Sequence, residues 1–336
     1  MNVMLLAAGE GTRLRPYTLI RPKPAMPFLN VPLASYPLAF LDGMKVDRLI
    51  VNTFHLPTKI VDLFIHMNHG ARRLHFSHEI NQIMGSGGGL AAAHDYFRNQ
   101  GDLILMNADE VILPFEKQLL AKAFEQHQKN KAFCTLLTMD HPDVGTKYGG
   151  VWLDHKDQVC GFGKSSPTMD SKKAEHFIGI QILSEKIFDY MPVGHPSNVL
   201  YDGVTKAILA GQVVQRYKVD CHWYETGNPK DFLSATSDVL KILADTESGS
   251  YTNAYLQRLL ERFSKETPLL EKRGDLTLLK TASSTIADDS SLSGFAVLGS
   301  HSRINAKSSL KNVVIADNIT VASETSAENE IFLENN

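Results

Sequence analysis

Cysteine is scarce in this chain, and its placement excludes the common uses of thiols. The 336 residues include 3 cysteines, Cys134, Cys160 and Cys221. An odd number at wide spacings does not form a disulfide framework, and no two of them have the close spacing of a zinc site. We therefore expect reduced thiols and a cytoplasmic protein.

Long hydrophobic runs and an excess of one charge are also missing. No stretch approaches the length that crosses a membrane. The apolar segment at the start is shorter than that of a secretory signal, and it lacks the cationic residues that precede one. The formal net charge is −3, which gives no reason to expect nucleic acid or an anionic membrane as a partner. We expect neither.

Two well-known glycine motifs are absent as well. Gly9 and Gly11 follow a short apolar run, but Leu14 stands where a dinucleotide-binding fingerprint requires a third glycine. Thr12 and Arg13 stand where a P-loop requires lysine followed by serine or threonine. The loop is therefore neither of these two phosphate-binding structures.

The same segment nevertheless has the properties of a phosphate site. Residues 3–8 have the length and composition of a buried strand, and glycines follow at once. Glycine lets backbone amides approach a phosphate closely. Four basic residues follow, Arg13, Arg15, Arg21 and Lys23, and Glu10 is the one acidic residue in this segment. This local positive charge favours a polyphosphate ligand.

Residues 1–235 alternate strand-like and helix-like segments, which predicts an α/β fold with a mixed sheet flanked by helices. The predicted strands are 3–8, 47–52, 74–79, 102–107 and 132–139, and the predicted helices are 33–44, 57–68, 90–97 and 117–128. Helical patterns at 230–245 and 251–265, with a loop over 246–250, predict a helical linker domain over 236–280.

The tail is periodic. Aliphatic or small residues recur every six positions with a single one-residue slip, at Ile286, Leu292, Leu298, Ile304, Leu310, Ile315, Val321, Ala327 and Leu333. Such hexads are typical of a parallel β-helix, in which each aliphatic side chain fills the inside of a turn. We expect a short β-helix over 281–336. Because its edges need covering, we also expect a homo-oligomer formed through it.

The opening segment resembles a known family. Gly9-Glu10-Gly11-Thr12-Arg13-Leu14-Arg15-Pro16, with Thr18 and then Pro22-Lys23-Pro24, is similar to the signature of sugar-1-phosphate nucleotidyltransferases, also called nucleoside-diphosphate-sugar pyrophosphorylases. The resemblance is strongest to mannose-1-phosphate guanylyltransferases and the related muramate-1-phosphate uridylyltransferases. It implies a Rossmann-like, GT-A-like nucleotidyltransferase domain, and a left-handed form for the hexapeptide tail.

The resemblance also implies a role for each matching residue. Arg13 would bind the leaving pyrophosphate, and Lys23 would bind the reacting phosphates. The other residues expected to bind the nucleotide are Ala7, Ala8, Gly9, Gly11, Thr12, Gly87 and Gly88. Glu79 precedes the second glycine segment, and its carboxylate could accept from the amino edge of guanine.

Two carboxylates are expected to hold Mg²⁺. Asp109 follows the predicted strand 102–107, and open α/β sheets bind ligands at this end of a strand. Glu225, in Trp223-Tyr224-Glu225-Thr226-Gly227, takes the place of the family's second aspartate. Mg²⁺ uses one or two carboxylates, with phosphate oxygens and water as the remaining ligands. The longer side chain changes the geometry at this position.

The expected sugar-phosphate residues are Gly150, Lys164 and Gly179. Gly163 stands where the family has a glutamate that holds sugar hydroxyls, so sugar recognition departs most from the family.

The function implied is transfer of a nucleotide from GTP or UTP to a sugar 1-phosphate, releasing pyrophosphate. GDP-mannose synthesis is the leading expectation. A uridylyltransferase for an N-acetylated sugar 1-phosphate and a catalytically weak, nucleotide-sugar-sensing subunit are the alternatives.

Overall fold

The computed structural model describes residues 1–245 and 249–335. In chain order the strands are β1 (Asn2–Leu6), β2 (Pro27–Phe28), β3 (Val31–Pro32), β4 (Arg48–Thr53), β5 (Arg73–His78), β6 (Leu103–Asn107), β7 (Val111–Pro114), β8 (Cys134–Met139), β9 (Gly150–Leu153), β10 (Val159–Gly163), β11 (Lys173–Leu183), β12 (Val214–Lys218), β13 (Cys221–Tyr224), β14 (Leu269–Arg273), β15 (Leu276–Lys280), β16 (Thr285–Ile286), β17 (Ser291–Leu298), β18 (Arg303–Ile304), β19 (Ser309–Ile315), β20 (Thr320–Val321) and β21 (Ser326–Phe332).

The helices are α1 (Tyr17–Ile20), α2 (Ser35–Ala39), α3 (Pro57–His66), α4 (Gly85–Ala92), α5 (His94–Phe97), α6 (Leu119–Lys129), α7 (Thr205–Leu209), α8 (Pro229–Ala244) and α9 (Tyr251–Phe263). Turns of 3-10 helix lie at Thr12–Leu14, Lys23–Ala25 and Glu185–Tyr190, and a π-helical turn lies at Val199–Val204. Within the described residues no helix is both long and apolar enough to pass through a membrane.

The chain divides into two compact units. Unit 1 consists of Met1–Gly9, Pro37–Val61 and His69–Trp223, and unit 2 of Glu10–Tyr36, Asp62–Asn68 and Tyr224–Asn336. The predicted domain boundaries at 235 and 280 stay predictions. Residues 246–248 of the predicted linker loop and residue 336 of the predicted tail lie outside the described residues.

Unit 1 is built on a nine-stranded mixed sheet. Seven strands follow in the order β10-β9-β11-β6-β1-β4-β5, and β8 and β12 extend the sheet from β11. Strands β6, β1, β4 and β5 are parallel, whereas β11 is antiparallel to β6, β8 and β9. Met4, Ile50 and Leu105 lie on neighbouring strands and pack in one buried cluster with Leu90 of α4 and Phe97 of α5. The predicted α/β class with a mixed sheet is confirmed.

Two helix predictions needed correction. The predicted helix 33–44 is only the short α2, Ser35–Ala39. The helix expected to begin near Leu90 begins at Gly85, so the glycine segment is itself helical. Glycine is a weak helix former, and packing against neighbouring backbone, described below, accounts for the difference.

Unit 2 holds the long helices and the periodic tail. Helix α8 begins at Pro229, where the side chain of Asn228 accepts a hydrogen bond from the Asp231 amide, and α9 begins after Ser250. Phe232 of α8 packs edge-on against Phe28, with ring centroids 5.4 Å apart. Both rings are fully buried.

The tail strands fit a β-helix. Strands β15, β17, β19 and β21 run parallel in one sheet, and β16, β18 and β20 in a second. Paired positions such as Leu292 and Leu310 lie one coil apart along the chain. Leu298, Ile315 and Phe332 pair across three neighbouring strands. The last of these paired residues is therefore Phe332, one position before Leu333 of the predicted repeat. Its left-handed form stays a prediction.

The slip in the repeat has a local cause. Between Ser293 and Ala296 the pairing of β17 with β19 shifts by one residue. Gly294, Asn312 and Asn329 have positive φ angles of 68°, 54° and 59°. Asparagine tolerates this conformation better than most residues, and Asn312 Nδ2 donates to Asn329 Oδ1 at 3.0 Å.

Candidate active site

One group of predicted site residues lies where β1 ends in unit 1. Ala7 and Ala8 are buried, and the Ala7 amide donates to Asn52 Oδ1 at 2.7 Å. Asn52 Nδ2 in turn donates to Glu79 Oε1 at 2.7 Å. The other carboxylate oxygen of Glu79 accepts from the Met84 amide, also at 2.7 Å. This Asn52–Glu79 network joins the ends of β1, β4 and β5 to the start of α4.

Glu79 is therefore engaged inside the protein. The sequence predicts that its carboxylate binds the nucleotide base. In the structure the residue is 8% exposed, and each carboxylate oxygen accepts a hydrogen bond from within the protein. Asn52 did not figure among the predicted site residues. It could have been recognised as a polar residue near the end of a strand whose preceding residues are apolar and buried.

Gly87 and Gly88 lie within α4 and are buried. A Cβ atom on Gly87 would lie 2.6 Å from Ser197 Oγ, and one on Gly88 would lie 2.7 Å from the His195 carbonyl oxygen. The Gly87 amide also donates to the Ser197 carbonyl at 2.8 Å. Missing side chains thus let the helix start pack directly on backbone, which offsets the low helix propensity of glycine.

Asp109 follows β6 and is half-buried. The preceding Ala108 amide donates to the Leu6 carbonyl at 3.1 Å, which places this turn beside the end of β1. The next residue, Glu110, accepts from Asn107 Nδ2 at 2.9 Å and from Trp223 Nε1 at 2.8 Å. Those bonds hold Glu110 and fix the turn that carries Asp109.

Gly179 lies against the same turn. It has a φ of +81°, and a Cβ atom there would lie 2.7 Å from Glu110 Cγ and 2.9 Å from Asn107 Nδ2. Unit 1 therefore brings the predicted metal ligand Asp109 close to the predicted sugar residue Gly179. Glu110 and Trp223 were not among the predicted site residues, although the carboxylate and the indole are what join these segments.

Gly150 and Lys164 also lie close together. Gly150 of β9 pairs with Gly163 of β10, and the exposed Lys164 follows directly. A Cβ atom on Gly150 would lie 2.7 Å from Ala174 Cβ, so only glycine fits between the strands.

An aromatic cluster lies beside this strand pair in unit 1, and its members are His141, Tyr148, His176 and Trp223. The His176 and Trp223 ring centroids are 4.2 Å apart, and those of Tyr148 and Trp223 are 5.3 Å apart. His176 is 6% exposed, and neither ring nitrogen has a hydrogen-bond partner in the described structure. Burial, with a smaller contribution from His141, lowers the pKa of His176 to about 4.

The basic loop lies in unit 2. Gly11 has a φ of +61° and opens the 3-10 turn Thr12–Leu14, in which the Leu14 amide donates to the Gly11 carbonyl at 2.9 Å. Leu14 is fully buried, whereas Thr12 and Arg13 are exposed. Thus the apolar side chain anchors the loop and leaves the guanidinium of Arg13 available to a ligand.

Lys23 lies at the start of a second 3-10 turn, Lys23–Ala25, and is half-buried. The Met26 amide donates to its carbonyl at 3.0 Å. A Cβ atom on Gly11 would lie 3.5 Å from Lys23 Cβ, so the two glycine-loop and lysine segments are in contact within unit 2.

Glu225 lies beside Arg13. The Nη2 atom of Arg13 is 3.8 Å from Glu225 Oε1, and the glutamate side chain is 14% exposed. Gly227 leaves room for both groups, because a Cβ atom there would lie 2.7 Å from Arg13 Nη2 and would collide with Glu225 Oε1.

The two predicted metal ligands belong to different units, Asp109 to unit 1 and Glu225 to unit 2. Both offer carboxylate oxygens, the donors that Mg²⁺ prefers. No group of three or more His, Cys, Asp or Glu side chains with metal-site geometry occurs in the part of the chain that the structure describes. One or two carboxylates are what Mg²⁺ takes when phosphates supply other ligands, so the chemistry of each carboxylate fits this ion.

A model of the nucleotidyl transferase family matches residues 2–242. The chain belongs to this family. It is 26% identical over 249 residues to UTP–glucose-1-phosphate uridylyltransferase of Synechocystis, covering 71% of this chain and 63% of that protein. It is 26% identical over 246 residues to mannose-1-phosphate guanylyltransferase of Mycobacterium tuberculosis, covering 73% and 66% of the two chains.

The family match confirms the resemblance inferred from the opening segment. The chain spans just under two thirds of the length of these two relatives. Among solved structures, HddC from Yersinia pseudotuberculosis has a TM-score of 0.57 at 23% identity, covering 71% of this chain and 99% of that chain. Together with the family match, that likeness in fold supports the nucleotidyltransferase fold.

Proposed function

We propose that this family member transfers a nucleotide from a nucleoside triphosphate to a sugar 1-phosphate, with GTP and mannose 1-phosphate as substrates. The observation that carries the proposal is the loop of unit 2, where buried Leu14 and the positive φ of Gly11 hold Arg13 outward and the segment of Lys23 packs against Gly11. A cationic loop built on a glycine turn suits a triphosphate.

The proposed reaction is a single displacement at phosphorus. An oxygen of the sugar 1-phosphate forms a bond to the α-phosphorus, and the bond from that phosphorus to the bridging oxygen of pyrophosphate breaks. The nucleophile is already an anion, so no general base is needed. The protein must bring two polyanions together and stabilise the charge on the transferring group.

The residues of this chain meet that demand by position and charge. Arg13 binds the leaving pyrophosphate, Lys23 binds the reacting phosphates, and Lys164 binds the sugar phosphate. The segment with Ala7, Ala8, Gly9, Gly11 and Thr12 lies along the triphosphate; the Ala7 amide is held by Asn52, and the amides after it bind phosphate. The start of α4 with Gly87 and Gly88 supports the nucleoside. Asp109 and Glu225 would hold Mg²⁺, which supplies charge neutralisation at the phosphates when bound.

Pyrophosphate release measures this activity directly. GTP and UTP are each offered with mannose 1-phosphate, N-acetylglucosamine 1-phosphate and muramate 1-phosphate in the presence of Mg²⁺. Turnover is expected with GTP and mannose 1-phosphate. Preference for UTP with an N-acetylated sugar instead identifies the uridylyltransferase, and no turnover with any pair rejects the enzymatic proposal.

Asp109→Asn is the variant that tests the metal ligand. Turnover is expected to fall to background while the melting temperature stays unchanged. Asp95→Asn is the matched control, because that side chain is 93% exposed. Near-normal turnover of Asp109→Asn at saturating Mg²⁺ contradicts the assignment.

A sensing subunit is the second candidate, and the observation that favours it is the pairing of Arg13 with Glu225. This pair places a positive charge beside a proposed metal ligand. Tight binding of GDP-mannose by calorimetry without turnover supports sensing. Cytoplasmic location and a homo-oligomer formed through the tail stay predictions, the second of which light scattering on the full chain tests.

A further inference from the structure

The C-terminal strand β21 contacts the segment that carries the basic loop, within unit 2. The Tyr17 hydroxyl donates to Glu330 Oε1 at 2.6 Å. Tyr17 and Glu330 are half-buried. One hydroxyl thus joins α1 to a side chain of β21.

Tyr17 is coupled to the loop through its neighbour. Thr18 is fully buried, and its Oγ1 donates to the Gly11 carbonyl at 2.9 Å. That carbonyl also accepts from the Leu14 amide, which closes the turn holding Arg13. A Cβ atom on Gly11 would lie 2.8 Å from Thr18 Cγ2, so Gly11 and Thr18 are closely packed.

The hydrogen bond has little packing to support it. Beyond Tyr17, α1 and β21 separate around an open cleft of about 300 Å³, lined by residues that include Leu19, Ile20, Phe332 and Leu333. Leu19 is 55% exposed. A strong polar contact therefore joins the two segments where apolar packing is incomplete.

We propose that Glu330 and Tyr17 are positioning residues through which the C-terminal β-helix holds the basic loop in its phosphate-binding form. This inference rests on the proposed function for its kinetic consequence, but not for its structural one. It gives the tail a role in the reaction of its own chain, in addition to any role in assembly.

Hydrogen exchange and steady-state kinetics on the full chain test the proposal together. Glu330→Ala and Tyr17→Phe each remove the hydrogen bond, and Glu330→Gln keeps an acceptor for the hydroxyl. Glu328→Ala is the matched control, since Glu328 lies on the same strand and pairs with Lys311 at 2.9 Å. Exchange is followed in peptides covering residues 10–15, with peptides from α6 as an internal reference.

Glu330→Ala and Tyr17→Phe are expected to speed exchange over residues 10–15 and to raise the KM for the triphosphate about fivefold, the factor that matches one ordinary hydrogen bond. The value of kcat should change less, because bound phosphates restore the loop. Glu330→Gln should restore most of both measurements, and Glu328→Ala should leave both unchanged.

The outcomes separate the two proposals. Equal behaviour of Glu330→Ala and Glu328→Ala in both measurements overturns the positioning role. Faster exchange confined to residues 10–15, in a protein that turns over no substrate pair, supports the positioning role and rejects the proposed activity. Faster exchange in all peptides, including those from α6, shows a general loss of stability and overturns the positioning role.

Discussion

Arg13 and Glu225 lie 3.8 Å apart, although 211 residues separate them along the chain. The gap between their side chains is kept open by Gly227, the residue two positions after Glu225. The Arg13 side chain is 68% exposed and that of Glu225 is 14% exposed, so solvent screens the attraction from the arginine side. The consequence of the arrangement is chemical, because it sets the direction of a guanidinium proposed to bind pyrophosphate.

Gly227→Ala tests that arrangement. The added methyl group would displace both side chains, so we expect kcat to fall at least about tenfold, which corresponds to about 1.4 kcal/mol of lost transition-state stabilisation. Pyrophosphate release under saturating substrates is the measurement. Normal kcat in a folded Gly227→Ala protein would show that neither side chain needs its present position.

Two glycines of the opening loop should respond differently to alanine. No atom lies within 4 Å of a Cβ atom built on Gly9, whereas one on Gly11 meets Thr18 and the residue has a φ of +61°. We expect Gly9→Ala to fold normally and to raise the KM for the triphosphate, because the methyl group takes space that a phosphate would use.

Gly11→Ala, in contrast, should lower stability by about 1–2 kcal/mol, the cost of a left-handed non-glycine residue with a steric clash. Urea denaturation of both variants gives the comparison. Equal loss of stability in the two variants is the result that contradicts it.

The Asn52–Glu79 network should matter for stability. Glu79→Ala removes an acceptor from Asn52 Nδ2 and from the Met84 amide, and it leaves both donors in a buried region. We expect a loss of about 2–4 kcal/mol in the free energy of unfolding, since hydrogen bonds to charged groups are among the stronger ones. Glu125→Ala, at an exposed position of α6, should change it by less than about 0.5 kcal/mol.

Those same variants test the role of Glu79 at the base. A base-contacting carboxylate would change the preference between GTP and UTP, whereas the internal network should change stability and leave the preference intact. The ratio of kcat/KM for the two triphosphates distinguishes these roles.

His176 should make stability depend on pH. Its pKa in the folded protein is about 4, and in the unfolded chain it is about 6.5. Between these values the unfolded state binds a proton that the folded state does not. Stability is therefore complete above about pH 6.5 and falls as the pH drops toward 4, by about 3 kcal/mol for this group.

His176→Phe should flatten that dependence, because phenylalanine keeps the ring and removes the titrating nitrogens. Denaturation in urea at pH 7, 6, 5 and 4 provides the measurement. His155→Gln, at an exposed loop position, is the control and should follow the unaltered protein. An equally steep loss of stability in His176→Phe would place the pH sensitivity elsewhere.

Some elements were predictable because one local property determines them. A β-helix places an aliphatic residue inside every turn, so the spacing of Leu298, Ile304 and Leu310 is enough to predict one. The basic loop was predictable for the same reason, since few other structures combine a strand, glycines and successive cations. The roles assigned to its residues stay predictions.

Other elements depend on partners distant along the chain. Helix α4 begins at Gly85 because Ser197 and His195 receive it, and nothing near Gly85 signals that contact. Asn52 acquires its importance from Glu79, and Glu110 from Trp223. Such residues are single polar side chains without a motif, and their meaning comes from tertiary contacts.

The pairing of the tail strands sets how the tail would come apart. Within this sheet each coil pairs only with the adjacent coils, and β21 is one of the two edge strands among the described residues. Loss of structure would therefore proceed from β21 inward, one coil at a time, and β19 would become the new edge. Because Glu330 lies on β21, the basic loop would lose its tether at the first step, well before the remaining coils unfold.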